Sequence, residues 1–268
     1  MNPVEPLVTD LYSPDAHARY TAVCQLRQLG AEALGPLGAV VQGEFPIPRV
    51  KRPTGFLNRG PDPHAVAAEA RRQAVALLGA LTDPRATELL VSVIRQDGDE
   101  RVRAQAALAL AQRRDPRALA PLLLALTHTD FEVRADAAEA LGQLGDRRAV
   151  EPLITMMQVD GQTVARWRAM EALGRLGDPR ALPPLLNLLQ RLLALPALDW
   201  APPDQAEYGE TRQLIWTTCT VALEALERLG DPRALPVLDQ LAHEAPARTI
   251  GSRAWSIAQH LREHAAHA

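Results

Sequence analysis

Apolar residues recur along this chain at the spacing of a helix face. Val150, Leu153, Ile154 and Met157 stand at i, i+3, i+4 and i+7. Leu119, Leu122, Leu123 and Leu126 repeat the spacing before them, and Leu182, Leu185, Leu186 and Leu189 after them. That period predicts helices with one apolar stripe each. A polar turn follows (Asp97 to Asp99, Thr129 to Asp130, Asp160 to Gln162), and then an alanine-rich stretch: RAQAALALAQRRD, RADAAEALGQLGD, RWRAMEALGRLGD. These predict a second helix whose small residues let neighbouring helices approach closely. Gly79, Gly142 and Gly174 weaken that helix locally, so close backbone packing is expected at each.

One phrase introduces each striped helix: LTDPRA, RRDPRA, LGDRRA, LGDPRA and LGDPRA, with aspartates at Asp83, Asp115, Asp146, Asp178 and Asp231. An aspartate before a first-turn proline is a helix-start signal, because its carboxylate caps free N–H groups and the proline lacks an N–H that would be unpaired there anyway. The first three intervals are 32, 31 and 32 residues. A fixed period of this length means stacked helix pairs, none of which buries its apolar face alone. Divergent copies extend the series, since VEPLVTDLYSPDAHARYTAVCQLRQLG from Val4 aligns with VEPLITMMQVDGQTVARWRAMEALGRLG from Val150. About seven units result, near 4–30, 31–82, 83–114, 115–145, 146–177, 178–230 and 231–264, read as one domain over 1–268.

The pattern LGDPRAxxPLxxxL followed by D-x-VR-x-AAxALGxLGD resembles the HEAT repeat family, in particular the short bacterial form named after phycobilisome lyases. The resemblance covers nearly the whole chain. It implies an all-α fold, a right-handed α-α superhelix or HEAT-like solenoid of about seven helix pairs, with second helices lining a concave face. It further implies a bacterial scaffold for protein–protein interaction.

The period breaks twice. From Ala31 to Asp83 and from Asp178 to Asp231 the spacing is 52 and 53 residues, so insertions are expected at about 43–65 and 194–212, each between the two helices of its repeat. The first carries Arg49, Lys51, Arg52 and Arg59 with Phe45 and Phe56; the second carries Asp199, Asp204, Glu207 and Glu210 beside Trp200 and Tyr208. Long loops in a compact array are functional or disordered, and aromatics among charges suit a partner-contacting arm. Arg49, Lys51, Arg52, Phe56, Arg59, Trp200 and Tyr208 are therefore candidate loop contacts, expected on one edge of the superhelix.

Within the second helices an arginine recurs at Arg19, Arg71, Arg103, Arg134, Arg166 and Arg253, interrupted at Cys219. Asp15, Asp99 and Asp130 precede three of these by four residues, and the resemblance implies that such pairs bridge neighbouring repeats. Five positions beyond the arginines, Glu139, Glu171 and Glu224 form an acidic stripe, while Tyr20, Arg72, Trp167 and Arg168 stand directly beside the arginine column. Tyr20, Arg72, Glu139, Trp167, Arg168, Glu171 and Glu224 are thus the candidate partner contacts of the concave face, with Trp167 beside Arg168 as its anchor.

Composition adds mostly exclusions. The net charge is −3, which lacks the basic field of sequence-independent phosphate binding, so nucleic acid is not the expected partner. The two cysteines, Cys24 and Cys219, fall in separate helices and imply no disulfide framework, which suits a cytoplasmic protein. MNPVEPLVTDLY has neither a basic start nor a long apolar run, and no membrane span is expected. The HLREH of His260 to His264 formally matches a zinc pattern but has no third ligand, so no metal is expected. Nor is a catalytic nucleophile motif or cofactor loop present, and His243-Glu244 alone falls short of the several His-Glu pairs of the HEAT-like deoxyhypusine hydroxylase. The expected function is a non-enzymatic scaffold or adaptor without cofactor that holds a protein or peptide segment in its groove and with its edge loops. The resemblance also implies two alternatives, a bilin lyase-like chromophore attachment factor and a HEAT-like nucleic-acid-binding protein using the Arg49 to Arg59 loop.

Overall fold

A computed structural model describes residues 4–46, 62–194, 210–244 and 250–267, and these residues are helical with no strand among them. They group into two compact units, Met1–Ala125 and Leu126–Ala268. The first contains α1 (Val4–Asp10), α2 (Ala16–Leu29), α3 (Leu34–Val41), α4 (Pro63–Ala80), α5 (Pro84–Gln96), α6 (Glu100–Gln112) and α7 (Leu119–Ala125). The second contains α8 (Phe131–Leu144), α9 (Val150–Val159), α10 (Thr163–Leu176), α11 (Leu182–Leu193), α12 (Glu210–Leu229), α13 (Leu235–Glu244) and α14 (Ile250–His267). Six of the seven expected helix pairs form within the units: α1 packs on α2, α3 on α4, α5 on α6, α9 on α10, α11 on α12 and α13 on α14. Residues 47–61, between α3 and α4 in chain order, and 195–209, between α11 and α12, lie outside the described residues.

The stripes are the core. Val150, Leu153, Ile154 and Met157 are buried, as are Leu182, Leu185 and Leu189, while Leu186 is half-buried. Second helices then pack on second helices, α4 on α6, α8 on α10 and α10 on α12. The three glycines explain how closely. A Cβ at Gly79 would stand 2.8 Å from the Ala109 Cβ, and at Gly142 or Gly174 it would stand 2.8 Å from the Cα of Ala172 or Ala225. No side chain fits there, so the lost helix propensity is offset by backbone approach.

The DPRA phrase does more than its aspartate alone suggested. Asp83, Asp115, Asp146, Asp178 and Asp231 each accept from the backbone N–H two residues on, as expected of caps. The arginine of the phrase then folds back in a fork onto the same carboxylate. Arg148 Nη2 reaches Asp146 at 2.7 Å and Arg180 Nε reaches Asp178 at 2.9 Å. After every cap but Asp83 the chain makes a 3-10 turn before the α-helix begins, and the alanine of the phrase is fully buried in all five copies. The arginine hydrogen bonds hold all five aspartates below the ordinary carboxylate range, and Asp178, only 5% exposed, is lowered to about 2.

The arginine column is structural, but with other partners than the sequence suggested. Asp15, Asp99 and Asp130 cap their own second helices. Arg71 instead pairs with Asp97 at 2.8 Å, and Arg134 pairs with Asp160 at 2.7 Å, each 26 residues further along. Asp97 and Asp160 end the first helix of the next repeat, and their backbone carbonyls accept from Arg103 and Arg166 of that same repeat. One aspartate thus joins two successive arginines, which local spacing cannot reveal. Arg253 stands apart from this column and pairs with Glu224.

Gly145, Gly177 and Gly230 end second helices with positive φ, but Arg114 occupies that place before Asp115 with φ 54°. Left-handed backbone is strained for a residue with a Cβ. The adjacent Arg113 holds this turn by donating to the carbonyls of Leu78, Gly79 and Leu81 and to Thr87 Oγ1. Replacing Arg114 with glycine is expected to stabilise the protein by about 1 kcal/mol, seen as a higher urea midpoint; an unchanged midpoint would show the turn to be unstrained. The Asp178 carboxyl is depressed in the folded state, so its contribution is present above pH 4 and lost as pH falls through about 2. Asp178→Asn is therefore expected to lower Tm at neutral pH, with the gap to wild type closing toward pH 2. A gap constant across that range would refute the assignment.

Candidate functional site

The second unit collects most of the sequence candidates on its second helices. Glu139 comes from α8, Trp167, Arg168 and Glu171 from α10, and Glu224 from α12, because the helices repeat one register as they stack. Arg168 Nη1 lies 3.4 Å from Glu139 and 3.1 Å from Glu171, so one guanidinium bridges two carboxylates on adjacent helices. Arg175, two turns beyond Arg168 on α10, approaches Glu139 at 3.9 Å. In the next interval Arg253 reaches Glu224 at 3.1 Å and Glu227 at 3.8 Å.

The acidic stripe is consequently a mixed ion network. Glu139, Glu171 and Glu224 are half-buried and each has an arginine partner. Asp136, one turn before Glu139 on α8, differs. Part of it meets solvent, yet the surrounding protein withdraws water and the Glu139 charge adds repulsion, so its carboxyl is raised despite the opposing pull of Arg168. Carboxylates here exceed arginines, with Asp136, Glu139, Glu171, Glu224 and Glu227 facing Arg168, Arg175 and Arg253.

Trp167 and Trp255 both stand on second helices of this unit. Trp167 is half-buried, and its indole Nε1 donates to Thr218 Oγ1 of α12 at 2.9 Å, which fixes the ring between the helices. Trp255 on α14 is 57% exposed, an uncommon exposure for so large an apolar surface. Cys219, where the arginine column breaks, is buried, and burial pushes its thiol up to about 12. It is therefore a core residue and no nucleophile at neutral pH.

The first unit holds the other two candidates. Tyr20 on α2 is 68% exposed, whereas Arg72 on α4 is engaged by Glu69 of its own helix. Phe45, which the sequence placed among the aromatics of the first insertion, stacks on the buried Tyr12 with ring centroids 5.9 Å apart. Arg49, Lys51, Arg52, Phe56, Arg59, Trp200 and Tyr208 lie outside the described residues. Among the described residues there is no cluster of three metal-ligating side chains and no helix long and apolar enough to cross a membrane. Sequence reasoning missed Arg175, Glu227 and Thr218. Glu227 was available as the i+3 neighbour of Glu224, but nothing local tells which residue 51 positions away accepts from Trp167.

Family models of HEAT repeats match residues 64–130 and 120–191, and that of the PBS lyase HEAT-like repeat matches 220–243. No curated protein matches the chain significantly. Among solved structures, importin beta shares the fold with a TM-score of 0.59 at 19% identity, over 94% of this chain but 36% of its own. The complex of CpcE and CpcF of phycocyanin lyase from Nostoc sp. PCC7120 aligns over 96% of this chain and 94% of that one, at 20% identity and a TM-score of 0.48. Human deoxyhypusine hydroxylase aligns over 97% and 96%, at 21% identity and a TM-score of 0.35.

If the Thr218 hydroxyl holds the Trp167 ring, Thr218→Val costs about 1 kcal/mol of stability. It should also broaden the Trp167 indole N–H resonance in the NMR spectrum. An unperturbed indole signal would count against a fixed ring.

Proposed function

Because the chain belongs to the HEAT repeat family, we propose that it is a non-enzymatic scaffold holding a protein or peptide segment against the second helices of its second unit. The supporting observation is the combination on α8, α10, α12 and α14 of half-buried charges with one pinned and one exposed tryptophan. Stable surfaces seldom leave a tryptophan 57% exposed, whereas interfaces use such groups as anchors. Arg168, Arg175 and Arg253 hold the carboxylates of the network in place and leave it net acidic in the free protein. A partner therefore meets carboxylates already oriented, at little cost in side-chain entropy.

Trp255 and Arg168 carry this reading together. Tyr20 is a further exposed aromatic on a second helix, in the first unit, and belongs to the same proposed use of that helix class. Partner recovered by co-purification from the native cells should cross-link to residues around Glu139, Arg168, Glu171 and Trp255. Trp255→Ala and Arg168→Glu should each weaken capture about tenfold or more, as interface anchors do. Cross-links confined to first helices such as α9 and α11, with capture unchanged in both variants, would overturn the proposal.

A further inference from the structure

One arginine of the column, in the first unit, lacks the turn carbonyl that its counterparts use. Four arginines of the column use Nη1 identically: Arg19 donates to the Ser13 carbonyl, Arg103 to Asp97, Arg134 to His128 and Arg166 to Asp160, each six residues earlier. That carbonyl lies in the turn before the second helix, because each of these arginines stands three residues after its helix begins. Arg71 stands eight residues after Pro63, where α4 begins. Six residues before it is Ala65, already inside α4, whose carbonyl belongs to the helix ladder. Arg71 keeps its Asp97 partner through Nε and Nη2, at 2.8 and 3.3 Å, but among the described residues nothing accepts from Nη1. The second insertion lengthens α12 in the same way, and there the column position is the buried Cys219, which has no such donor to satisfy.

Arg71 lines a cavity of about 300 Å³ between the ends of α3 and α5, of a size that admits a small ligand. Val41 and Val93 give it apolar wall, and Gln42 and Gln96 give it amide groups. The charge state selects the ligand. Asp97, its side chain 4% exposed, already balances Arg71 and accepts also from the Asp99 N–H. Gln42 and Asp97 are the C-terminal caps of α3 and α5, so both helix ends facing the cavity carry partial negative charge. An added anion would meet that charge, and an added cation would meet Arg71. A neutral acceptor satisfies Nη1 without either cost.

We infer that this cavity binds a backbone carbonyl of an extended peptide segment from a partner protein, which replaces the turn carbonyl displaced by the first insertion. The flanking Gln42 and Gln96 amides suit the neighbouring peptide groups, and the valine wall suits a small apolar side chain. The site lies in the first unit and does not depend on the ion network of the second.

The test is a titration of the full 15N-labelled chain, following the arginine Nε–Hε resonances by NMR. The Arg71 signal is identified by its loss in Arg71→Lys. N-methylacetamide, a neutral peptide-group probe, should shift it saturably, and more than acetate or methylammonium at equal concentration. Ser92→Phe, which fills the cavity and spares the Arg71–Asp97 pair, should abolish the shift while circular dichroism remains native. A shift from acetate as large as that from the amide, no saturable shift at all, or a response retained in folded Ser92→Phe overturns the inference.

Discussion

Short helices leave many ends, and satisfying those ends is the constraint on which this structure rests. Every helix presents free N–H groups at its start and free carbonyls at its finish, and a pairwise stack buries many of them. The chain answers with aspartate and arginine. Asp146 and its four counterparts cap first helices, Asp99 and its counterparts cap second helices, and Asp97 and Asp160 end first helices while receiving an arginine from the preceding repeat. Arg113 performs the same service for the end of α4 where the usual Leu-Gly is missing. These contacts fix helix ends in register, and only then can the glycines of the second helices sit against alanine backbones at the distances observed.

The insertions act through the same constraint. Lengthening α4 and α12 toward their N-termini moves the turn carbonyl away from the column position. In α12 the arginine is absent and Cys219 is packed into the core; in α4 the arginine remains, bonded to Asp97 and lining a cavity. The chemistry of the cavity is thus a consequence of where a helix begins.

The second helices also show how a solenoid turns regularity into a surface. Repetition places Glu139 and Glu171 at equivalent positions, and variation at one neighbouring position supplies Arg168 to bridge them. Asp136 stands in that same variable column, so chemical character changes along the face while its geometry stays constant. This is the arrangement that the HEAT family membership and the proposed scaffold role have in common.

The amino-acid order alone determined the helices, their pairing, the caps and the places where the period fails, because these depend on spacing within some thirty residues and on side chains acting on their own backbone. It also placed Glu139, Trp167, Arg168 and Glu171 on one helix class. The partners were decided only by tertiary structure. Arg134 meets Asp160 rather than Asp130, Trp167 meets Thr218, and the acidic stripe is paired with Arg168 and Arg253. Contacts between successive repeats depend on how far one helix pair is rotated and translated against the next, a quantity set by close packing of whole surfaces and by no local spacing.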